Sequence, residues 1–184
     1  MAVDLRTDLM NTILKWLDEN IERVVILFAY SSMAAIIVYA VFERFMLQTQ
    51  IPWSTSIPIY LFLWVTWFGC SYNVKQRTHL VFNDLRKRMP YRLQYACLWF
   101  DAFLWILFSV IVIWFSIEQV SIVRQNLALV QGTNNLLQWY FYLATPLGFL
   151  LVIIRVIQNL REDMGRFRRE EEFLVDIQAV DKIG

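Results

Sequence analysis

The stretch VVILFAYSSMAAIIVYAVF, residues 24–42, decides the fold because it carries no charged side chain over a length sufficient to cross a bilayer. A helix rises about 1.5 Å per residue, so about 20 apolar residues span the hydrocarbon core. Residues 57–74, 102–117 and 136–154 have the same character. None alternates as barrel strands do, and helices satisfy their backbone polar groups internally. The sequence predicts an all-α integral membrane protein with four transmembrane helices.

The four helices and their connections are predicted to form a single membrane domain over residues 1–184. The predicted spans are 24–45, 57–75, 97–123 and 136–158, and residues 159–184 form a tail. Hydrophobic residues make up 58% of the chain, which is above the range typical of soluble domains. Because a long polar segment precedes the first apolar run and no small-residue cleavage site follows it, we expect that run to be retained.

Lysine and arginine residues are strongly segregated along the chain. All but two of the 17 lie in the N-terminal segment, in the connection between the second and third spans, or in the tail; the exceptions are Arg44 and Arg124. Positively charged loops are retained on the cytoplasmic side of a membrane. This pattern predicts a multi-pass protein of the bacterial inner membrane with both termini and the middle connection in the cytoplasm.

Two segments outside the spans are amphipathic. Residues 4–23 carry apolar side chains at spacings of three and four, which predicts an interfacial helix or, alternatively, a helix docked on a soluble partner. Residues 80–95 have a similar pattern interrupted by Pro90, which predicts a second, short interfacial helix. We expect nearby basic side chains to bind anionic headgroups of membrane lipid. These are Lys75, Arg77, Arg86, Lys87 and Arg88.

Ionisable side chains, which mark functional sites within membranes, are scarce in the spans. Glu43 and Glu118 lie near the outer ends of the first and third spans, close enough to an interface to be hydrated. The one histidine, His79, lies with Asp84 in the cytoplasmic connection and is expected to be structural. A single histidine cannot form a bis-histidine haem site or a three-histidine metal site. We therefore predict no enzyme activity and no metal or other cofactor. The charge balance of the chain also gives no indication of a nucleic-acid partner.

Aromatic residues are unusually frequent, with 14 Phe, 8 Trp and 8 Tyr. Trp64 and Trp67 lie in the body of the second span beside Gly69. Large rings next to small residues suit close helix packing, either within the chain or against a partner subunit. Ordinary lipid-facing aromatics are the alternative.

Residues 44–90 resemble the small membrane subunit, the DctQ-like or Q subunit, of tripartite ATP-independent periplasmic (TRAP) transporters. The resemblance is carried by Arg-Phe at 44–45, Trp-Ser at 53–54, the aromatic run that ends at Gly69, and Arg-Thr-His-Leu at 77–80 followed by Asp84. The chain departs from the family pattern after Trp-Ser. Thr55 and Ser56 stand where acidic residues are common in the family. This chain therefore lacks carboxylates at these positions, together with any role that they have in the family.

The resemblance implies a scaffold subunit of a sodium-coupled symporter that imports an organic anion. It implies two partners: a large multi-span M-type subunit, which carries the substrate and sodium sites, and a periplasmic substrate-binding protein. Among substrates, we favour a sialic acid over C4-dicarboxylates. We expect the contact with the large subunit to involve Trp53, Trp64, Trp67, Phe68 and Gly69.

Two other functions are compatible with the sequence. One is a self-sufficient, homo-oligomeric, ion-coupled transporter that uses Glu43 or Glu118 as its coupling carboxylate. The other is a membrane-bound redox enzyme or cytochrome subunit, which the small set of metal-ligating side chains disfavours.

Overall fold

A computed structural model describes residues 2–48, 51–77 and 89–171, with the side chains of the first helix described at position 16 and from position 18 onward. These residues form five helices: α1 (Ala2–Met46), α2 (Trp53–Lys75), α3 (Tyr91–Gln125), α4 (Trp139–Tyr142) and α5 (Ala144–Arg169). Four segments are long and apolar enough to cross a membrane: Asp18–Met46, Trp53–Lys75, Tyr91–Gln125 and Trp139–Arg169. The predicted all-α fold with four transmembrane helices is confirmed.

The first helix, α1, runs without interruption from Ala2 to Met46. Neither proline nor glycine occurs within it, so nothing in the sequence ends the helix where the apolar span begins. Residues 4–23, predicted as an interfacial helix, are therefore the first part of the helix that also forms the first span. At about 1.5 Å per residue, α1 is about 67 Å long.

The connection between α3 and α4 is an ordered turn that packs on the start of α2. The N–H of Val130 donates to the carbonyl oxygen of Leu136 at 2.8 Å. Gly132 has a φ of 82°, and a Cβ at this position would collide with Pro52 and with the backbone of Trp53. Glycine meets both requirements, because it adopts positive φ readily and has no side chain. The turn is thereby fixed against α2.

The four long helices lie side by side in an open row, in the order α1, α2, α5, α3. Helix α2 packs on both α1 and α5, and α5 packs on α3, whereas the described parts of α1 and α3 make no extensive contact. Burial follows this order. In the most apolar window of each span, 22% of residues are buried for α2 and 33% for α4–α5, compared with 6% for α1 and 11% for α3. Helices α2 and α5 are thus the middle of the row, and α1 and α3 are its edges.

The best-packed part of the row is centred on α5. Phe149, one of its buried residues, belongs to a cluster that includes Val74 of α2 and Ala102 of α3. The ring of Trp67 lies 5.0 Å from that of Phe149, centroid to centroid. A methyl group added at Gly148 would lie only 2.6 Å from the Cβ of Trp67. The glycine therefore sets the close approach of α2 and α5, as small residues do between membrane helices.

Candidate functional site

A buried ion pair joins the first and last of the four spans near one end of the helices. Arg155 of α5 is 1% exposed, and Glu22 of α1 is fully buried. The Nε of Arg155 donates to one carboxylate oxygen of Glu22 at 2.5 Å, and its Nη2 donates to the other at 3.0 Å. This two-pronged geometry is the strongest form of a guanidinium–carboxylate contact. The pair links α1 directly to α5 across the face of α2.

The remaining donors of Arg155 are also satisfied. Its Nη1 donates to a carboxylate oxygen of Asp18 at 2.6 Å and to the side-chain oxygen of Gln158 at 2.7 Å. Its Nη2 also donates to the backbone carbonyl of Asp18. Gln158 in turn donates to the Asp18 carboxylate at 3.1 Å. The guanidinium is thus fully engaged within the protein, which is the condition for keeping a charge buried.

Helix α2 contributes two side chains to the same cluster. Lys75 donates from Nζ to the carbonyl oxygens of Asp18 and Glu19 at 2.9 and 2.8 Å, and Nζ lies 3.6 Å from a carboxylate oxygen of Glu22. The buried hydroxyl of Ser71 donates to Glu22 at 3.3 Å. We call Asp18, Glu22, Ser71, Lys75 and Arg155 the ionic cluster. It connects α1, α2 and α5, so three of the four spans meet at one polar centre.

A second set of polar contacts attaches the end of α2 to α5. Arg77 follows the last turn of α2 with a φ of 54°. Its Nη1 donates to Asp163 at 2.7 Å, and its Nη2 donates to the carbonyl oxygen of Asn159 at 3.1 Å. The side-chain amide of Asn159 donates to the carbonyl oxygen of Val74 at 2.8 Å. Lys75 and Arg77, both predicted to bind lipid headgroups, therefore direct these donors at protein partners.

The predicted partner contacts on α2 fall into two groups. Phe68 is 4% exposed and Trp67 faces Phe149, so both side chains pack inside the row. Trp64 stacks on Phe68 with 5.5 Å between ring centroids and remains partly exposed. A methyl group added at Gly69 would meet no atom within 4 Å. Trp64 and Gly69 are thus the members of the set in the body of α2 that remain open, on different sides of the helix.

Trp64 also lines an apolar groove of about 400 Å³ between α1, α2 and α4. Almost all of its lining surface is carbon. The other lining residues are Val24, Val25, Phe28, Ala29, Leu61, Tyr140 and Phe141. Trp53, the remaining member of the predicted set, is half-buried at the start of α2, and its ring stacks on Tyr39 of α1 at 6.2 Å.

The two candidate coupling carboxylates are not brought together. Glu118 is exposed on α3, at one edge of the row, whereas Glu43 is 8% exposed on α1, at the other edge. One oxygen of Glu43 accepts a hydrogen bond from the Tyr39 hydroxyl at 2.7 Å. Its other oxygen is buried and has no hydrogen-bond partner within the described part of the chain.

Several predicted features lie outside the described residues. They are the first part of the interfacial helix predicted at residues 80–95, and the side chains His79, Asp84, Arg86, Lys87 and Arg88. Over the described ranges, no group of three or more His, Cys, Asp or Glu side chains is arranged to hold a metal ion.

The region from the middle of α1 to near the end of α5 matches a known protein family. Residues 33–166 match the family described as Tripartite ATP-independent periplasmic transporters, DctQ component. This match covers well over half of the chain. The chain belongs to the DctQ family. It is therefore a TRAP transporter component, as the motifs between residues 44 and 90 predicted. No curated protein matches the chain significantly.

The DctQ match includes part of the ionic cluster. Ser71, Lys75 and Arg155 lie inside the matched region, whereas Asp18 and Glu22 precede it. Because the family match begins at residue 33, the α1 half of the ionic cluster is contributed by the segment that the family description does not cover.

Sequence reasoning missed the ionic cluster in this DctQ chain. It assigned Glu22 to the polar face of an interfacial helix and treated Arg155 as the end of the fourth span. One signal was available: Glu22 precedes the first span and Arg155 ends the fourth, so both lie on the same side of the membrane and carry opposite charges. Charges at the ends of two spans can pair across helices, whereas each one alone resembles an ordinary interfacial residue.

Proposed function

We propose that this DctQ chain is a scaffold subunit that anchors and stabilises a large M-type transport subunit in the membrane. The observation that carries this proposal is the open row of helices. The four described spans do not close into a bundle, and the groove between α1, α2 and α4 is lined by apolar surface, which suits a scaffold better than a pathway for an ion. The row also leaves many large apolar side chains exposed, against which another membrane protein can pack.

The ionic cluster supports a rigid scaffold. It fixes three helices through charge-assisted hydrogen bonds that are directional, and the Arg155–Glu22 bonds among them are buried. A carrier needs charged groups that bind and release ligands, whereas Arg155 has partners for its donors inside the chain. The buried charge in this protein is therefore better suited to holding helices together than to handling an ion.

We place the contact with the large subunit on the open parts of α2 around Trp64 and around Gly69, which lie on different sides of the helix. The apolar groove beside Trp64 and the open space at Gly69 would accept a neighbouring helix. Trp53 would extend this surface toward the outer end, while Trp67 and Phe68 would support it from inside the row. Lipid contacts at the inner face are proposed for Arg86, Lys87 and Arg88.

The wider setting follows from family membership and charge distribution. We propose a location in the bacterial inner membrane with both termini in the cytoplasm, supported by the segregation of Lys and Arg. The complete system would be a sodium-coupled symporter for an organic anion, delivered by a periplasmic substrate-binding protein. A sialic acid is the favoured substrate class, on the family resemblance alone.

Affinity purification tests the scaffold role directly. The tagged chain is isolated in mild detergent from the membrane in which its own operon is expressed, and associated proteins are identified by mass spectrometry. We expect one partner in roughly equal amount, with about ten or more predicted spans. Recovery of the chain alone, as a homo-oligomer that transports after reconstitution, would overturn the proposal.

A second candidate function is the homo-oligomeric transporter that couples transport to a carboxylate. The unpartnered oxygen of Glu43 favours it, because buried polar atoms normally have hydrogen-bond partners and an orphan can mark an ion or proton site. Glu43→Gln would abolish transport under this alternative and leave it nearly unchanged in a scaffold. Glu118→Gln, at an exposed carboxylate, is the parallel test.

A further inference from the structure

A polar cleft of about 380 Å³ lies between the first turn of α3 and the end of α5, away from the ionic cluster. It is lined by Tyr91 and Arg92 from α3 and by Phe167, Arg168 and Glu170 from the end of α5. No function considered above makes use of these residues.

A stack of three aromatic rings stands at the cleft, and two of them, Tyr91 and Phe167, line it. The ring of Phe167 lies 4.1 Å from that of Tyr95 and 5.5 Å from that of Tyr91, nearly parallel to both. The Tyr91 hydroxyl also donates to the carbonyl oxygen of Glu171 at 3.0 Å. These contacts fix the end of α5 against α3, so the cleft is formed before any ligand arrives.

The charged side chains of the cleft differ from those elsewhere at the same end of the molecule. Arg77 and Arg155 are held by carboxylates within the chain. Arg92, Arg168 and Glu170 are all exposed, and none forms an ion pair or side-chain hydrogen bond with another described residue. Two guanidinium groups and one carboxylate that are unpaired within the described ranges therefore line the same small cleft.

The surroundings indicate a membrane surface. Tyr91, Tyr95 and Trp99 follow one another along the first turns of α3, and such rings are typical of membrane–water interfaces. Beyond them, α3 exposes Phe100 and Phe103, which are 61% and 59% exposed. A ligand seated in the cleft could thus place a charged group among the arginines and apolar chains along α3.

We propose that this cleft binds the headgroup of an aminophospholipid such as phosphatidylethanolamine. Arg92 and Arg168 would bind the phosphate, because guanidinium groups match phosphate oxygens in charge and geometry. Glu170 would accept hydrogen bonds from the ammonium group. An anionic lipid without an amine would satisfy the arginines and leave Glu170 without a positively charged partner. The cleft therefore favours a headgroup that carries both charges.

Native mass spectrometry of the full chain tests this assignment. The protein is equilibrated in mild detergent with equal amounts of phosphatidylethanolamine and phosphatidylglycerol, and the lipids retained are counted. We expect wild type to retain the aminophospholipid preferentially. Arg92→Gln combined with Arg168→Gln should lower the retention of both lipids by about tenfold or more. Glu170→Gln should preserve retention and abolish the preference.

Arg161→Gln is the matched control, since Arg161 is an exposed arginine on α5 outside the cleft. Equal losses in this control and in the double variant, or an unchanged preference in Glu170→Gln, would overturn the proposal. So would thermal stabilisation by inorganic phosphate or glycerophosphoethanolamine as large as that by the lipid, which would indicate a soluble ligand. A photoreactive aminophospholipid that labels residues 91–92 or 167–170 in wild type supports the site without any variant, and labelling confined to other residues rejects it.

Discussion

Every N–H donor of the Arg155 guanidinium is hydrogen-bonded within the protein, because Glu22, Asp18 and Gln158 surround it. Removing a charge from water is costly, and the attraction between buried partners roughly offsets that cost. The pair therefore fixes the position of α1 relative to α5 more than it adds to the free energy of unfolding. Each charge can be buried only because the other is beside it. At the scale of single residues, this mutual dependence makes Arg155 and Glu22 the most sensitive positions in the described chain.

Arg155→Met tests that dependence. It keeps an unbranched side chain but leaves the buried Glu22 carboxylate with Lys75, at 3.6 Å, as its one cationic partner among the described residues. We expect the free energy of unfolding in mild detergent to fall by roughly 3–5 kcal/mol, the typical loss when one member of a buried pair is removed. Denaturant or thermal unfolding followed by circular dichroism measures it.

Two further variants serve as controls for this measurement. Arg161→Met removes an exposed arginine from the same helix and should change stability by less than about 0.5 kcal/mol. Glu22→Gln combined with Arg155→Met removes both charges and should recover part of the loss. If Arg155→Met were as stable as Arg161→Met, the contact between Arg155 and Glu22 would not constrain the fold.

At the scale of elements, the contact between α2 and α5 depends on the absence of one side chain. Gly148→Ala should push Trp67 away from α5 and lower the free energy of unfolding by about 1–3 kcal/mol, as overpacking does. Gly165→Ala is the control on the same helix, because a methyl group there meets no atom within 4 Å. It should be neutral or stabilising by up to about 1 kcal/mol, given the higher helix propensity of alanine. Equal effects of the two substitutions would argue against the close α2–α5 approach.

The surface of α2 proposed to meet the large subunit can be compared with the far edge of the row. Trp64→Ala should reduce recovery of the co-purified partner by about tenfold or more, as loss of an aromatic anchor does at interfaces. Trp114→Ala removes the same side chain from α3, where it is 73% exposed, and should leave recovery unchanged. The reverse outcome would move the interface to the α3 edge.

At the scale of the whole molecule, the open row can be distinguished from a closed bundle by crosslinking. In a background with Cys70 and Cys97 replaced by alanine, a short bismaleimide should join cysteines at 108 and 149, whose native rings lie 5.7 Å apart on α3 and α5. Cysteines at 28 and 108, on α1 and α3, should not be joined within one chain. Efficient intramolecular crosslinking of the second pair, seen as a shifted monomer band, would indicate a closed four-helix bundle.

The number of spans could be predicted because it depends only on apolar length, and residues 24–42 meet that criterion without reference to any other segment. The order of the helices depends on which side chains face each other. Trp67 and Phe68 illustrate this limit: composition marked both as packing residues, but only the structure shows that they pack within the chain. The ionic cluster was missed for the same reason, since Glu22 and Arg155 are separated by most of the sequence and only their position on one side of the membrane related them.

The ionic cluster lies near one end of the spans. At the opposite end of the spans, the packing relies on apolar contacts and on the turn at Gly132. When helices are held together by directional contacts at one end, their fluctuations are smallest there and increase with distance from those contacts. The thermal motion of the spans should therefore be graded, smallest beside Arg155 and largest at the far end. Such a gradient would let the end of the spans far from Arg155 adjust to the motion of a neighbouring protein, while the end beside Arg155 remains fixed.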